Sequence, residues 1–370
     1  MRDRLLHLDV DTPALLLDLT TLEQNIARMA EFARASGIAL RPHAKTHKSA
    51  EIAKLQMQAG AIGICCAKLS EAERLADSGV TALLITSSIV GRQKLARLAR
   101  LYEQLPDLMV VADSPDVIVA IGSNMPRLPR DLPILVDVDV GLHRSGVVGV
   151  EAACNLAQTI ERTAGLRFAG IQGYAGHVQQ ICRYSERCEE ANAPAGELRS
   201  IVEALAKRGI ACPIVTGGGT GTHDIDAQFG IYSDLQVGSY VFMDVEYLNI
   251  EYSQSGTGRF QPSLFVISQV VSASQPDHVT IDAGSKSLSF DGPMPRVVAP
   301  DGSRLKYELY GDEFGKVGPL SESDRLRLGD KVLLLTPHCD PTVNLHDRYV
   351  CVRNSEIVAE WEIQARGCAA

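Results

Sequence analysis

Short apolar runs recur along the first 250 residues, and longer stretches of mixed polarity separate them. The runs have the length of buried strands, and most of the stretches between them are long enough for a helix. This alternation predicts eight βα units and hence a (β/α)8 TIM barrel, with an open doubly wound sheet as the alternative. No G-x-G-x-x-G follows a strand to support the open sheet. The predicted barrel strands lie near 38–43, 62–66, 82–86, 108–113, 133–139, 167–173, 213–217 and 234–238.

One further strand and helix precede the barrel. Residues 12–18 form an apolar run, and the spacing that follows it predicts an amphipathic helix. Thr20 and Glu23 have the spacing of a capping box at the start of this helix, and Gly37 marks its end.

The pattern changes after about residue 255. Apolar runs become shorter, and clusters of Gly, Pro and Asp separate them. This pattern of short apolar runs predicts a β-rich second domain. We therefore predict a barrel domain over residues 12–250 and a second domain over residues 255–370, to which residues 1–11 also belong.

The composition excludes several classes of function. The chain of 370 residues carries a net charge of −9 with both signs mixed along it, and no basic stripe indicates binding to nucleic acid. It lacks the run of roughly eighteen apolar residues that a membrane-spanning helix requires, so no membrane partner is expected. Nine cysteines, without a C-x-x-C pair, are typical of a reduced, cytoplasmic protein.

A cluster of basic side chains surrounds Lys45 at the end of the first predicted barrel strand. In extended backbone, Arg41, His43 and Lys45 share one face. A lysine beside other cations tends to lose its proton, which makes it a nucleophile or a base. A solvated basic loop is the alternative interpretation.

A segment rich in glycine and threonine, residues 216–222, follows the seventh predicted strand. Consecutive glycines allow backbone N–H groups to approach an anion, and the loops after strands seven and eight of such barrels commonly bind phosphate. A flexible surface loop is the alternative. The residues predicted to form a phosphate cradle here and after the eighth strand are Thr216, Gly218, Gly219, Thr220, Gln236, Gly238, Ser239 and Tyr240.

His338 and Asp340 follow the apolar run 332–335. In extended backbone their side chains share a face, and an imidazole with a carboxylate can bind one divalent ion. Two ligands are few, so the ion would be weakly held and accessible to a substrate. Roles in capping turns are the alternative.

Three further candidates lie at the ends of predicted strands. Arg144 is suited to bind a phenolate or carboxylate, or to pair with Asp137 or Asp139. Tyr174 and His177 end the sixth strand, where His177 is a candidate acid or base.

Six motifs together resemble the fold-type III pyridoxal-phosphate enzymes, the alanine-racemase-like family, and within it the group of D-threonine aldolase and D-serine dehydratase. They are Asp11–Ala14, PHAKTHK at 42–48, Gly63–Cys66, TGGGTGT at 216–222, LQVGSY at 235–240 and PHCDPTVNLHD at 337–347. Because they extend from near the N-terminus to near the C-terminus, the resemblance covers both predicted domains.

The resemblance implies a cofactor and a metal ion. Lys45 would bind pyridoxal 5'-phosphate covalently, the glycine-rich loop would hold its phosphate, and Arg144 would lie near its phenolic oxygen, with Tyr174 also among the cofactor-binding residues. His338 and Asp340 would hold a divalent ion, and the oxygen ligand favours manganese or magnesium over zinc. Members are usually homodimers with shared active sites, so a homodimer is expected.

The expected reaction is cleavage of a small-molecule D-β-hydroxy-α-amino acid to glycine and an aldehyde, with Lys45, His177 and Arg144 as catalytic residues. A dehydratase acting on D-serine or D-β-hydroxyaspartate, or a β-hydroxyaspartate aldolase, is the alternative in the same site. Gln180 and Phe314 depart from the aldolase pattern, since histidines are expected there. A hydroxyaspartate substrate would need a further cation that the sequence does not locate.

Overall fold

The computed structural model of the chain describes residues 2–126, 128–253, 259–300, 304–320 and 326–370. The described residues form two sheets, with helices around the first. The domain boundary predicted near 250–255 falls partly on residues 254–258, which lie outside the described residues.

Eight parallel strands form the first sheet of the described chain. Neighbours in the sheet follow the chain order, and a parallel bridge between His43 and Cys65 joins the two remaining edges. This closure confirms the predicted barrel and excludes the open sheet. After β1 (Ala14–Asp18), which belongs to the second sheet, the barrel strands are β2 (Ala39–Leu40), β3 (Ile64–Cys66), β4 (Leu83–Ile85), β5 (Met109–Ala112), β6 (Leu132–Asp137), β7 (Leu166–Gly173), β8 (Ile214–Gly217) and β9 (Asp234–Leu235).

The main helices are amphipathic and bury one face against the barrel. Leu22, Ile26 and Met29 of the first helix are buried, at the spacing that the sequence shows. No helix in the described ranges combines the length and the apolarity needed to cross a membrane. The helices are α1 (Leu19–Ser36), α2 (Ala50–Gln58), α3 (Leu69–Asp77), α4 (Arg92–Gln104), α5 (Pro115–Asn124), α6 (Val150–Arg162), α7 (Tyr184–Glu190), α8 (Asn192–Lys207), α9 (His223–Asp226), α10 (Val245–Leu248) and α11 (Cys339–Val343).

The start of α1 differs from its predicted capping box. Asp18 caps the helix, because its carboxylate accepts a hydrogen bond from the Thr20 amide at 3.0 Å. Glu23 instead forms an ion pair with Arg353. The predicted end of the helix is confirmed, since Gly37 follows it with φ +65°, a conformation that favours glycine.

The second sheet is mixed and includes the first strand of the chain. Its later strands are β10 (Leu264–Ser272), β11 (Val279–Ile281), β12 (Arg296–Ala299), β13 (Lys306–Leu309), β14 (Gly315–Gly318), β15 (Lys331–Leu335), β16 (Arg348–Arg353) and β17 (Glu356–Glu362). β1, which the sequence grouped with the barrel, pairs antiparallel with β10 and parallel with β16. Leu15 and Leu17 face the main core, whereas Leu16 faces a smaller core in the second sheet.

The segment after β15 brings the second sheet to the carboxyl ends of the barrel strands. The Val245 amide donates a hydrogen bond to the Thr336 carbonyl at 3.1 Å, and Lys45 forms an ion pair with Asp340. Side chains from both sheets therefore meet at the barrel mouth, the end at which enzymes with this barrel have their active sites.

Candidate active site

A cavity of about 330 Å³ opens at the carboxyl ends of the barrel strands. It brings together a lysine, part of the glycine-rich loop and several strand-end residues that lie far apart in the sequence. The predicted site residues in its lining are Lys45, Arg144, Tyr174, Gly219, Thr220, Gln236, Gly238 and Ser239.

Lys45 reaches into this cavity and forms an ion pair with Asp340. Its side chain is 40% exposed, so a ligand in the cavity has access to Nζ. Burial acts to lower the pKa of Lys45, but the Asp340 carboxylate outweighs it, and the pKa lies above its ordinary value. Burial acts to raise the pKa of Asp340, but Lys45 brings it down to about 2. Both partners are therefore charged at neutral pH.

The cations expected to activate Lys45 are not available for that role. Arg41 is buried beside Asp234, with 3.4 Å between Nε and Oδ1. Burial, and then the charge of Lys45, lower the pKa of His43 to about 3, so its ring is neutral. The expectation of a lowered Lys45 pKa is therefore wrong, because the fold places a carboxylate from a distant segment beside the ammonium.

The glycine-rich loop has room only for glycine at several positions. A Cβ at Gly219 would lie 2.4 Å from Gln179 Oε1, and one at Gly221 would lie 2.0 Å from the Gln179 carbonyl oxygen. Gly218 adopts φ +67°, which favours glycine. Such a backbone, open toward the cavity at Gly219 and Thr220, fits the phosphate of a cofactor.

Two predicted cradle residues support the cavity from outside its lining. Thr216 Oγ1 donates a hydrogen bond to the buried Asp234 carboxylate at 2.6 Å. The Tyr240 hydroxyl accepts a hydrogen bond from Gln56 at 3.0 Å, while the Tyr240 amide donates to Thr220 Oγ1 at 3.1 Å. Tyr240 therefore contributes its backbone to the cradle and directs its phenol into the core.

Arg187, which the sequence did not indicate, holds the far end of the loop. Its side chain is completely buried, and Nε donates a hydrogen bond to the Gly221 carbonyl at 2.8 Å. Its other guanidinium nitrogens donate to the carbonyls of Ile181 and Glu251. A buried arginine that binds only carbonyls here fixes the course of the loop, and its polar helical context in the sequence contains no signal of this role.

Gln172 is a second residue that the sequence did not single out. Gln236 donates a hydrogen bond to Gln172 Oε1 at 3.1 Å, and Gln172 donates to Asp137 Oδ1 at 2.8 Å. Both glutamines line the cavity. The available sequence feature was an amide side chain after the apolar residues 168–171 of this strand, since a buried polar group needs partners.

Arg144 stacks over the Tyr174 ring, with its guanidinium carbon 5.7 Å from the ring centroid. Its alternative partners are engaged elsewhere, because Asp137 accepts from Ser145 at 2.9 Å and Asp139 pairs with His143. Arg144 is therefore open to a ligand in the cavity.

His177, Gln180 and Phe314 lie outside the cavity lining. All three side chains are exposed. The His177 ring lies beside Gly141, where an added Cβ would be 3.2 Å from the imidazole Cε1. The structure thus does not bring His177 together with Lys45 and the glycine-rich loop.

His338 and Asp340 lie at the start of α11. His338 is extended and Asp340 lies in the first helical turn, so the extended backbone predicted for both applies only to His338. Nδ1 of His338 lies 2.9 Å from Oδ2 of Asp291. Burial acts to lower the pKa of His338, but Asp340 and Asp291 outweigh it, and the pKa is raised.

The surroundings of one Asp340 carboxylate oxygen indicate whether a metal ion fits beside His338 and Asp340. Oδ1 of Asp340 is buried and forms no hydrogen bond of normal geometry among the described residues, although the Thr46 hydroxyl lies close enough to lower the pKa of the Asp340 carboxyl. Such an oxygen is costly unless a donor or a cation satisfies it. No group of three or more His, Cys, Asp and Glu side chains in the described chain is arranged around a metal position. The residues fit an ion held by two protein ligands rather than a closed structural site.

Known domain families match both parts of the chain. The alanine racemase N-terminal domain matches residues 17–245, and the putative serine dehydratase domain matches residues 263–352. The chain belongs to the alanine racemase N-terminal domain family. Membership of this family implies pyridoxal phosphate, for which the cavity offers a lysine and a phosphate cradle.

Several known proteins align with almost the whole chain. A D-threonine aldolase of Arthrobacter sp. is 40% identical, with 97% of this chain and 93% of the relative covered. A 3-hydroxy-D-aspartate aldolase of Paracoccus denitrificans is 37% identical, with the same shares covered. The crystal structure of D-threonine aldolase from Filomicrobium marinum has a TM-score of 0.94 at 36% identity, and covers 98% of this chain and 97% of its own.

Proposed function

We propose that this protein cleaves D-β-hydroxy-α-amino acids to glycine and an aldehyde, with pyridoxal 5'-phosphate and a divalent ion as cofactors. The observation that carries the proposal is the ion pair of Lys45 with Asp340, at a cavity that also contains the glycine-rich loop. This ion pair brings the lysine expected to bind the cofactor into contact with a residue expected to bind the metal ion. The similarity to two aldolases supports a lyase of this type.

The cavity lining would hold the cofactor. Lys45 Nζ would bind it, and Arg144 would face its phenolic oxygen. The backbone at Gly219 and Thr220, together with Ser239, would receive the phosphate. When bound, pyridoxal phosphate supplies an electron sink for negative charge at the substrate's α carbon.

Lys45 would then transfer a proton, and Asp340 would help to hold the divalent ion. Asp340 holds the Lys45 side chain in place, and Lys45, once protonated, can deliver a proton to the α carbon to give glycine. A divalent ion on His338 and Asp340 would lower the pKa of the substrate β-hydroxyl. The carboxylate ligand favours manganese or magnesium.

His177 is our proposed base for the β-hydroxyl, although its exposed ring lies beside Gly141 and outside the cavity lining. A His177→Gln variant that retained full activity would remove this assignment.

A product screen tests the proposal. The purified, metal-loaded protein is incubated with D-threonine, D-phenylserine, D-serine and both D-β-hydroxyaspartates. We expect glycine and an aldehyde, and we expect neither from Lys45→Ala, which also loses the absorbance band of the lysine-bound cofactor. Chelation should abolish turnover and leave that band. Release of ammonia and an oxo acid would replace the proposal with a dehydratase, and a protein that binds no pyridoxal phosphate would overturn it.

One observation favours a D-β-hydroxyaspartate as the substrate. Lys68 lines the same cavity as Lys45 and Arg144, and it takes part in none of the lysine ion pairs of the described chain. It is the further cation that the sequence did not locate. An ammonium that forms no ion pair with the described residues can bind the second carboxylate of this substrate, and because Lys68 is exposed the interaction is worth about 1 kcal/mol at most.

Lys68→Met separates the two substrates. We expect the KM for D-β-hydroxyaspartate to rise by up to roughly fivefold, because the contact of an exposed ammonium with a carboxylate is lost. The KM for D-threonine should stay within about twofold, since threonine has no second carboxylate. Lys54→Met, an exposed change on α2, is the control. Equal effects on both substrates would contradict the assignment.

We also propose that the protein is a homodimer with shared active sites, as the family resemblance implies. Light scattering on the purified protein checks the mass of the particle. A monomer at all concentrations that retained full activity would contradict this.

A further inference from the structure

We propose that Asp291 is a positioning residue for His338, and that it orients the imidazole so that Nε2 is free to bind the divalent ion. This inference rests on the proposed function, because it takes His338 as a ligand of that ion. Asp291 precedes His338 by 47 positions and lies in a turn with Gly292 and Pro293, between β11 and β12.

The contact between Asp291 and His338 selects one tautomer. The distance from His338 Nδ1 to Asp291 Oδ2 is 2.9 Å. An ionised carboxylate only accepts hydrogen bonds, so Nδ1 carries the hydrogen of the neutral ring and Nε2 keeps its lone pair. The tautomer of a metal-binding histidine is set by the hydrogen bond of its other nitrogen. Asp291 therefore leaves available the nitrogen that a metal ion needs.

The backbone at His338 is already held by other groups. The His338 carbonyl accepts a hydrogen bond from Thr342 Oγ1 at 2.8 Å. The next amide, of Cys339, donates to the buried carboxylate of Asp244 at 3.0 Å. The remaining freedom is the rotation of the imidazole, and the contact with Asp291 restricts it.

Asp291 contributes to ion binding more by orienting the His338 imidazole than by its own negative charge. Its side chain is 52% exposed, against 24% for His338. Solvent screens an exposed charge, so its direct attraction for a cation nearby is weak. Two substitutions separate the effects. Asp291→Asn keeps an oxygen that accepts from Nδ1 but removes the charge, whereas Asp291→Ala removes both.

Mn²⁺ affinity of the holoenzyme, measured by electron paramagnetic resonance of free Mn²⁺, tests the inference. Loss of a partner that orients a metal ligand weakens binding by roughly 10–100-fold. We expect a loss in that range for Asp291→Ala, a much smaller loss for Asp291→Asn, and an unchanged cofactor absorbance band in both. Asp291→Ala with the Mn²⁺ affinity of the wild type would overturn the inference.

Asp277→Ala is a matched control. Asp277 Oδ1 lies 2.7 Å from His278 Nδ1 and its side chain is 70% exposed, and His278 is not one of the proposed metal ligands. This variant removes a similar Asp–His pair from the protein, and we expect it to bind Mn²⁺ as the wild type does. A loss equal to that of Asp291→Ala would show a general effect of surface charge and overturn the inference.

A second measurement needs no metal ion. Nitrogen chemical shifts of labelled histidine in the metal-free holoenzyme report the tautomer of His338, whose signal is assigned by its loss in His338→Ala. At a pH high enough for the imidazole to be neutral, we expect hydrogen on Nδ1 in the wild type and a shift toward Nε2 in Asp291→Ala. A wild-type protein without Mn²⁺ affinity would overturn the metal-dependent function and this inference together. A protein that binds Mn²⁺ but releases ammonia as the product would overturn only the proposed aldolase reaction. The Mn²⁺ affinities of the Asp291 variants would then still decide the inference about Asp291.

Discussion

Lys45 and Asp340 face each other at the barrel mouth, and each keeps the other charged. Burial alone favours the neutral form of either group. The ion pair reverses this for both, while the neighbouring His43 stays neutral. The Asp340 carboxylate therefore controls the pH at which Lys45 becomes a free amine, the form that attacks the aldehyde of pyridoxal phosphate.

Asp340→Asn should lower the pKa of Lys45. The carboxylate raises this pKa, and without it the effect of burial is opposed only by weaker partners. More free amine is then present at a given pH, so the pH profile for cofactor uptake should move to lower pH. The measurement is the rate at which the apo-protein takes up pyridoxal phosphate, followed by absorbance across pH with a chelator present.

Glu313→Gln is the control for this shift, because it removes an exposed lysine partner, that of Lys286, away from the cavity. Its uptake profile should match that of the wild type. If the pH profile of cofactor uptake were the same in Asp340→Asn as in the wild type, the Asp340 carboxylate would not control the pKa of Lys45.

At the scale of elements, the glycine-rich loop depends on the groups packed against it. The Gln179 side chain accepts a hydrogen bond from the Gly221 amide at 3.1 Å and donates to Thr222 Oγ1 at 2.8 Å. Arg187 holds the Gly221 carbonyl. Both polar groups of Gly221 are thus fixed, which argues against a flexible surface loop.

Gly221→Ala should weaken binding of pyridoxal phosphate by at least about tenfold. The new Cβ would lie 2.0 Å from the Gln179 carbonyl oxygen, so backbone must move and the cradle loses its shape. Titration of the apo-protein, followed by absorbance, gives the dissociation constant.

Gly196→Ala is the matched control for the loop. Gly196 lies inside α8, and nothing is within 4 Å of an added Cβ. This change should leave cofactor binding unaltered and stabilise the protein by up to about 1 kcal/mol, since alanine favours a helix. Unchanged affinity in Gly221→Ala would contradict a preorganised cradle.

At the scale of the whole molecule, β1 joins the two halves of the chain. It lies between β10 and β16, and its leucines pack alternately into two cores. Because α1 follows β1 directly, the barrel is attached to the second sheet at its start as well as at its end. β15, which precedes Asp340, pairs with β10 in the same sheet.

Leu16→Ala should destabilise the protein by about 2–5 kcal/mol, because it leaves a cavity in the smaller core. Denaturation in urea measures the loss. Val148→Ala, at a side chain that is 74% exposed, should change stability by less than about 0.5 kcal/mol. Equal stability of Leu16→Ala and Val148→Ala would contradict a structural role of β1 in the second sheet.

The sequence by itself determined the barrel, Lys45 at its first strand and the glycine-rich loop after its seventh. Strand and helix periodicity, and a run of glycines, are properties of contiguous residues, and local backbone preferences translate them into structure. Neighbouring residues can compete for the same local role, which limits such predictions. The predicted capping box at Thr20 was wrong because Asp18 caps the helix instead.

Only the tertiary structure decided which charges meet. Lys45 and Asp340 are 295 positions apart, and the histidine that Asp291 contacts is 47 positions away. No local pattern encodes such pairs, because they depend on how the second sheet packs over the barrel. For that reason the sequence placed cations around Lys45, whereas the folded chain places a carboxylate there.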